Sequence, residues 1–509
     1  TLVPNFQVNL TNTLKPELGV GGPTFTRAST AYVQDWEGLM KLAKSGEARF
    51  MGARRVQNGL VVSENFTSGS WSPTYNGTGV APVVTAGQTD PNGGLTAYRL
   101  QLDAGTGTGG NYSSIRHGSI PVGTGGYIRG SVWAKTNDGS TKTICFNMGQ
   151  GKNVTVGPNW QRISSAVWTS ESPFMDIGLG DGNGTSLTAD LLIWHAQAED
   201  VTGQTNQNPS EYVSVGVLPA PYYGAGVDGV KYFDYLNGNT VSSGVVTENK
   251  GAKITSSASG ANASTTDATG PLGYFAEGAR TNVALQSEDF STSWNKQVGS
   301  QVVTTNTAVS PSGQTTADKF IPGTSSGNQE LQQGIVWTNT PYTWSIYAKP
   351  AGYNFVYLQT YDGTADRYSW FNVSTGVVGA NSGITNTSIV PIGNGWYRCS
   401  ITFIPVASTM YFAIGASPTD GTRIFVGDGT SGAYIWGAQL EAATFASSYI
   451  PTTTGSASRN ADVLIYPAAN NAGAGSNTTY FEAQMPSTGT EQLGLFGLSN
   501  SGGETGNSS

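Results

Sequence analysis

"SENFTSGSW" at residues 63–71 returns, barely altered, as "SEDFSTSW" at residues 287–294. A single echo of this kind is open to chance, but several in one order are not. Behind the first copy come "SVWAK" (131–135), "NWQR" (159–162), "IWHAQAE" (193–199) and "SEYV" (210–213). Behind the second come "SIYAK" (345–349), "GWYR" (395–398), "IWGAQLE" (435–441) and "SSYI" (447–450). The repeat period exceeds 200 residues. Solenoid and propeller units run about 20–50 residues, so each copy must be a self-sufficient domain.

Within each copy, short stretches alternate in period two. In "YTWSIYAK" (342–349), Tyr342, Trp344, Ile346 and Ala348 share one face. In "WYRCSITF" (396–403), Trp396, Arg398, Ser400 and Thr402 oppose Tyr397, Cys399, Ile401 and Phe403. Such strands, bounded by Gly, Asn and Pro turns, predict an antiparallel β-sandwich. Composition agrees: 69 Gly, 10% aromatic and only 11% charged residues, against about 25% charged in an average soluble domain. No convincing amphipathic helix is present.

The net charge of −8, with no block of Lys or Arg, lacks the footprint of a nucleic-acid binder. No run of 18 apolar residues exists, so no membrane insertion is expected. The N-terminus has no signal-peptide pattern and no initiator Met, which suggests processing or a partial chain. Cys145 and Cys399 sit in different repeat units, outside any CxxC pair, and are expected as buried thiols. Asn-x-Ser/Thr triplets such as Asn65-Phe66-Thr67 are expected by accident at this composition.

The landmarks together resemble jelly-roll carbohydrate-binding modules. More narrowly, the layout resembles tail-fibre and other virion structural proteins of bacteriophages. That likeness rests on "TFTRASTAYVQDWEGL" (24–39), "GARRVQN" (52–58), "GART" (278–281) and "YYGAGVDGVKYFDYLNGNTV" (222–241), and covers most of residues 23–465. It implies an all-β chain of tandem antiparallel β-sandwich (jelly-roll) modules with hairpin linkers, carried on the surface of a virion. The implied partners are other virion proteins, further copies of the chain in a homo-oligomer (a trimer, by resemblance alone), and host cell-surface polysaccharide. A purely structural component, as head decoration or tail protein, is the alternative; a depolymerase subunit is a third class.

Along the chain, residues 1–22 read as an extended arm, with Pro4, Pro16 and the following Pro23 working against regular structure. Residues 23–59 read as a hairpin segment turning at Asp35-Trp36-Glu37-Gly38, in preference to a helix through Val33, Trp36, Leu39 and Leu42. Module one spans 60–215, a hairpin and linker segment 216–282, and module two 283–451. The linker holds an Asn237-Gly238 turn signal and the Ser/Thr/Ala-rich stretch 256–270. Residues 452–509 read as the start of an incomplete third β domain, since a sandwich needs on the order of 100 residues.

Enzyme motifs fail in context, so no catalytic residue is assigned. "GTSSG" (323–327) satisfies G-x-S-x-G, but a nucleophile elbow needs a strand-to-helix turn and a partner His. Only His117 and His195 exist, both in the other module, and His195 reads as a packed or edge residue. "GTGTGG" (105–110) satisfies G-x-G-x-x-G without a βαβ context. Paired carboxylates for glycoside cleavage stay open, because their pairing is spatial. No cofactor is expected beyond a structural calcium, which jelly rolls often carry; Asp181 and Asp428, in "GDGNGTS" and "GDGTSG", are its weak candidates, without the six-position calcium-loop pattern.

The matched aromatics (Trp71/Trp294, Trp133/Tyr347, Trp160/Trp396, Trp194/Trp436) read as packing that both copies need. Differences between copies point to function. From Lys135 to Trp160 is 160 − 135 = 25 residues, while Lys349 to Trp396 is 396 − 349 = 47, room for another hairpin. The longer stretch places Tyr353, Phe355 and Tyr357 on one strand face, and Tyr368 and Trp370 on one face of the next, with Val356 and Leu358 toward the core. An exposed aromatic row suits the C–H faces of sugars, and Asp362, Asp366 and Arg367 could hydrogen-bond hydroxyls. The alternative is that these aromatics pack under a longer loop or against a neighbouring subunit.

Overall fold

The computed structural model describes residues 6–35, 38–118, 120, 126–169, 173–180, 184–204, 206–217, 224–233, 273–336, 338–361, 364–384, 386–405 and 409–471. Among them all regular structure is β, and every paired strand is antiparallel apart from one isolated bridge between Gly352 and Gly432.

Module one is a sandwich of two sheets. One orders its strands Gln161–Ser164, Tyr127–Thr136, Thr188–Asp200, Ala97–Asp103 and Val80–Gln88; the other orders Gly151–Val156, Lys142–Asn147, Met175–Gly180, Tyr112–His117 and Trp71–Asn76. Module two repeats this plan. Its first sheet runs Val302–Ala308, Ala317–Ile321, Gly432–Glu441, Tyr342–Ala351, Trp396–Phe403 and Asn386–Gly393. Its second runs Asn295–Lys296, Glu330–Val336, Thr409–Ser417, Phe355–Tyr361, Asp366–Asn372 and Val377–Ser382. The extra residues of copy two build Val377–Ser382 and Asn386–Gly393, which do not pair as a hairpin. Each instead extends the edge of a different sheet.

The period-two reading places the core correctly. Tyr342, Trp344, Ile346 and Ala348 enter the core of module two together with Val356, Leu358, Cys399, Ile401 and Phe403. Burial raises the Cys399 thiol far above its ordinary pKa, so it behaves as a small apolar side chain. Cys145 is only half-buried, because it points away from the core of module one.

The recurrent landmarks converge on one polar clasp in each module. Asn282 donates to the carbonyls of Ala438 (2.9 Å) and Ile450 (2.8 Å) and accepts from the amides of Ala284 (3.1 Å) and Leu440 (2.9 Å). Asn58 does the same with Ala196, Val213, Leu60 and Ala198. The Ser of each "SE" pairs with the Tyr of "SEYV" or "SSYI": Ser63 with Tyr212 and Ser287 with Tyr449, both at 2.7 Å. Those tyrosines donate to Glu64 and Glu288. Gln197 and Gln439 accept from Val213 and Ile450 amides, and Arg162 and Arg398 donate to the carbonyls of Ser210 and Ser447. The repeated words therefore hold the chain entering each module against the chain leaving it, and satisfy backbone groups that burial would otherwise leave unpaired.

The two clasps differ at one bulge. His195 (φ 50°) and Gly437 (φ 67°) occupy equivalent left-handed positions beside the register shift in the adjoining strand. In module one the His195 ring lies between Trp194 and Tyr212, with ring centroids 3.2 and 3.9 Å away. In module two Tyr32, from the segment before module one, packs against Tyr449 (5.4 Å) and Trp436 (6.4 Å) instead. A Cβ on Gly437 would come within 2.8 Å of the Tyr347 ring, so glycine keeps that place open. His195 is thus a packed residue, and burial lowers its pKa well below the usual value. His117 is equally structural, accepting from the Val61 amide at 3.1 Å.

Asp318 gives this region a pH dependence. It is fully buried, accepts from the amides of Phe290 and Asn306, and burial pushes its carboxyl up to about 6. A carboxyl raised on folding binds a proton more readily in the folded state, so its penalty is absent below the ordinary value of 3.8 and grows as pH rises to about 6. Urea unfolding between pH 4 and 7 is expected to show this loss of stability in the native chain and a flatter profile in Asp318→Asn; parallel profiles would remove the assignment.

Segments outside the modules build a joint. Thr24–Thr26 pairs with Val463–Ile465, Phe50–Met51 with Gly273–Tyr274, Arg54–Gln57 with Val230–Phe233, and Arg280–Asn282 with Ala457–Arg459. Its core contains Leu14, Phe25, Val33, Phe50, Val230 and Tyr232. Within the segment 23–59 read as a hairpin, Ala31–Gln34 pairs with Met40–Ala43, with Asp35 Oδ1 accepting from the Leu39 amide at 2.9 Å; Trp36 and Glu37 lie outside the described residues. The N-terminal arm is less extended than the prolines suggested: Gln7–Val8 pairs with Pro16–Leu18, where Pro16 is tolerated as the first residue of a short strand. Residues 457–465, within the stretch read as opening a third domain, pair with the joint. Residues 472–509, the linker 256–270 and the Asn237-Gly238 turn lie outside the described residues.

Candidate functional site

The outer face of module two's first sheet is covered. Trp396, Trp436 and Tyr347 there form a cluster with Met40 and Tyr32 of the hairpin. The outer face of the second sheet carries the candidate site. Register sets Tyr357 between Trp370 and Gly415, Gln359 between Tyr368 and Ala413, and Tyr361 opposite Asp366. Since Val356, Leu358, Phe371, Phe412 and Ile414 point into the core, alternation sends Tyr357, Gln359, Tyr368, Trp370 and Tyr411 outward, while Tyr361, at the end of its strand, also packs against the core.

Tyr357 lies at the centre and donates to the Gln329 carbonyl (3.0 Å) and to Glu330 Oε2 (3.2 Å). Its ring crosses Gly415, where a Cβ would sit 2.1 Å from Cζ; only glycine permits this lie. Trp370 packs on Tyr357 (5.2 Å) and meets Tyr368 edge-on (4.8 Å). Beside them, Tyr361 and Tyr411 stack at 5.9 Å. Tyr411 donates to Asp366 at 2.5 Å and accepts from Gln359 Nε2 at 3.1 Å. Arg423 donates to Gln359 Oε1 and Asp366 Oδ2, both at 2.9 Å, and lies over the Tyr368 ring. Burial raises the Glu330 carboxyl above its ordinary value, although Gln332 donates to it at 2.7 Å. Burial, and then the Glu330 charge, hold the Tyr357 hydroxyl protonated.

A strap over residues 418–425 crosses this face. Asp420 accepts from the Ala380 amide at 2.8 Å, Arg423 reaches the centre, and Ile424–Phe425 pairs with Gly327–Asn328. Under it Tyr357 is 0% and Trp370 2% exposed, so the centre is not the open aromatic row expected from the sequence. Beyond the strap Tyr361, Tyr368 and Tyr411 are half-exposed.

Of the residues singled out in the sequence, the sheet brings Phe355, Tyr357, Tyr368 and Trp370 onto one face. Tyr353 departs from it: it precedes the strand and packs in the core, 5.9 Å from Phe425. Arg367 alternates away from Tyr368 and lies against Gly383, and the guanidinium at the site is that of Arg423 instead. Asp362 lies outside the described residues. Glu330, Gln359, Tyr411 and Arg423 were not anticipated. The alternation of "YFAIGAS" (411–417) carried a signal for Tyr411, whereas Arg423 depends on the path of the strap.

In module one the equivalent face is different. Cys145, paired with Gly178 and Asn153, stands where Tyr357 stands between Gly415 and Trp370. Ser114 replaces Glu330, and Arg116 forms a two-pronged pair with Asp176 (2.7 and 2.6 Å) over Phe174.

For calcium, Asp428 uses its carboxylate within its own turn, accepting from the amides of Thr430 (2.8 Å) and Ser431 (2.6 Å); the Ser431 side chain first, and then these amides, hold it well below the usual carboxylate range. Asp181 lies outside the described residues, among which no group of three or more His, Cys, Asp or Glu could hold a metal ion.

No known protein family matches the chain, and no curated protein matches it. Among solved structures, the enzymatically active domain of bacteriophage CBA120 tailspike protein 4 is similar at 21% identity and a TM-score of 0.20, over 28% of this chain and 21% of that one. An N-terminal tandem CBM22 domain from Paenibacillus barcinonensis is similar at 13% identity and a TM-score of 0.21, over 76% of this chain and 99% of that one. A family 11 carbohydrate-binding module from Clostridium thermocellum, in complex with a β-1,3-1,4-mixed-linked tetrasaccharide, shows 7% identity and a TM-score of 0.20, over 29% of this chain and 95% of that one.

Proposed function

We propose that this chain is a non-catalytic fibre or appendage protein on the surface of a bacteriophage particle, and that the outer face of module two's second sheet holds a host surface glycan. One observation carries the reading. The two modules share clasp and strand order, yet among the described residues one of their equivalent faces, and not the other, groups tyrosines and a tryptophan with a carboxylate, an amide and a guanidinium. A scaffold alone requires no such difference. Half-exposed Tyr361, Tyr368 and Tyr411 offer apolar surface for C–H faces, while Asp366, Gln359 and Arg423 offer acceptors and donors for hydroxyls. The sequence likeness of the segments around the modules supports the virion setting, with other virion proteins and further copies of the chain as partners. Weak binding at each site would gain avidity from repeated copies.

The test is binding of the purified chain to an array of bacterial surface polysaccharides. Tyr368→Ala and Arg423→Ala are each expected to weaken binding about tenfold, the equivalent of roughly 1.4 kcal/mol. Trp370→Ala is a poorer probe, because its burial ties it to stability. Unchanged binding in both variants would remove the site, and a folded chain that binds no glycan would favour a purely structural role.

A further inference from the structure

The joint contains a buried excess of positive charge. Among the described residues, Arg27, Arg49 and Arg459 form ion pairs with two carboxylates, Glu277 and Asp462. The carboxylates are already engaged. Asp462 accepts from Arg27, from Arg49 and from the Glu277 amide; Glu277 accepts from Arg49 and from the amide and hydroxyl of Ser448. Arg27 is fully committed, since it also donates to the carbonyls of Ser29 and Lys44. Arg459 is left over. Its nearest carboxylate oxygens are 3.5 and 3.9 Å away, and none of its three nitrogens makes a hydrogen bond among the described residues, although the residue is 1% exposed. Arg49 Nε is also without a partner. Glu441, the next carboxylate in reach, already accepts from the amide and hydroxyl of Ser447.

A buried guanidinium with unmet donors, whose neighbouring carboxylates are already shared with other arginines, is costly for a fold to hold. We propose that Arg459, together with Arg49 Nε, forms a site for a small monovalent anion of the chloride class. The anion supplies the missing negative charge and an acceptor that N–H groups can approach from several directions. It sits where the segment before module one, the segment between the modules and the segment after module two meet, so its occupancy stiffens the joint of all three.

Thermal unfolding of the full chain tests this, in sodium chloride or bromide against sodium gluconate at equal ionic strength. Halide is expected to raise the melting temperature by about 2–4 °C over gluconate. Arg459→Met, which removes the excess charge, is expected to lose that difference. In bromide-soaked crystals of the native chain, an anomalous peak is expected beside the Arg459 guanidinium; this measurement decides alone if the variant fails to fold. Equal melting in both salts, the same halide response in Arg459→Met, or a map without bromide at Arg459 would overturn the site.

Discussion

Asn282→Ala is expected to lower the stability of module two by about 4 kcal/mol, because one side chain satisfies four buried main-chain groups. Its amide nitrogen serves the carbonyls of Ala438 and Ile450, and its oxygen serves the amides of Ala284 and Leu440. Asn282 is 0% exposed, so water does not replace what is lost. Each buried group left unmet costs about 1–3 kcal/mol, and partial relaxation keeps the total below the simple sum. Domains of this size are stable by only about 5–15 kcal/mol, so module two would be close to unfolding at physiological temperature. Asn58→Ala is the internal control, since Asn58 occupies the same place in module one. In calorimetry each variant should lower the transition of its own module. A loss below about 1 kcal/mol in both would show that the clasp is incidental to stability.

Glu47→Ala is expected to destabilise the joint by about 3–5 kcal/mol, the usual cost of leaving the partner of a buried ion pair alone. Glu47 is fully buried and accepts four hydrogen bonds: Arg55 Nε at 2.6 Å, Arg55 NH2 at 2.8 Å, Tyr232 Oη at 2.7 Å and the Lys44 amide at 2.9 Å. Tyr232 and Arg55 lie on the two strands that close the joint around module one, Val230–Phe233 and Arg54–Gln57. Loss of Glu47 therefore loosens the entry and exit of that module together. Burial works against the charged form, but Arg55 outweighs it and the Glu47 carboxyl stays below its ordinary value. A depressed carboxylate contributes stability above its unfolded pKa and loses it as pH falls through the folded value. The gap between native chain and variant should thus be full at pH 7 and shrink under acid. Faster proteolysis of the joint at pH 7 would accompany it; a variant as stable as the native chain there would remove Glu47 from the account.

The candidate site was legible in part. Alternation identified Tyr357, Tyr368 and Trp370 as sharing a face, since a strand's side chains obey period two whatever lies above it. It failed for Tyr353, which precedes the strand, and it gave no sign that Trp370 would be covered. Cover comes from the strap over 418–425, and Arg423 reaches Gln359 across 64 residues of sequence. No local pattern encodes that path.

The amino-acid sequence by itself determined the strands, the duplication and the two modules, because period-two alternation and a repeated set of words are local properties of the chain. It also marked most residues of the clasp, Asn282 excepted, although not their task, since recurrence shows need without showing contact. Tertiary structure alone decided which sheet face stays free, which aromatics are covered, and how the joint is charged. Arg27 and Asp462 are 435 residues apart in sequence and 2.7 Å apart in space. Burial of charge depends on what folds over it, and at such separations that is a property of the assembled chain.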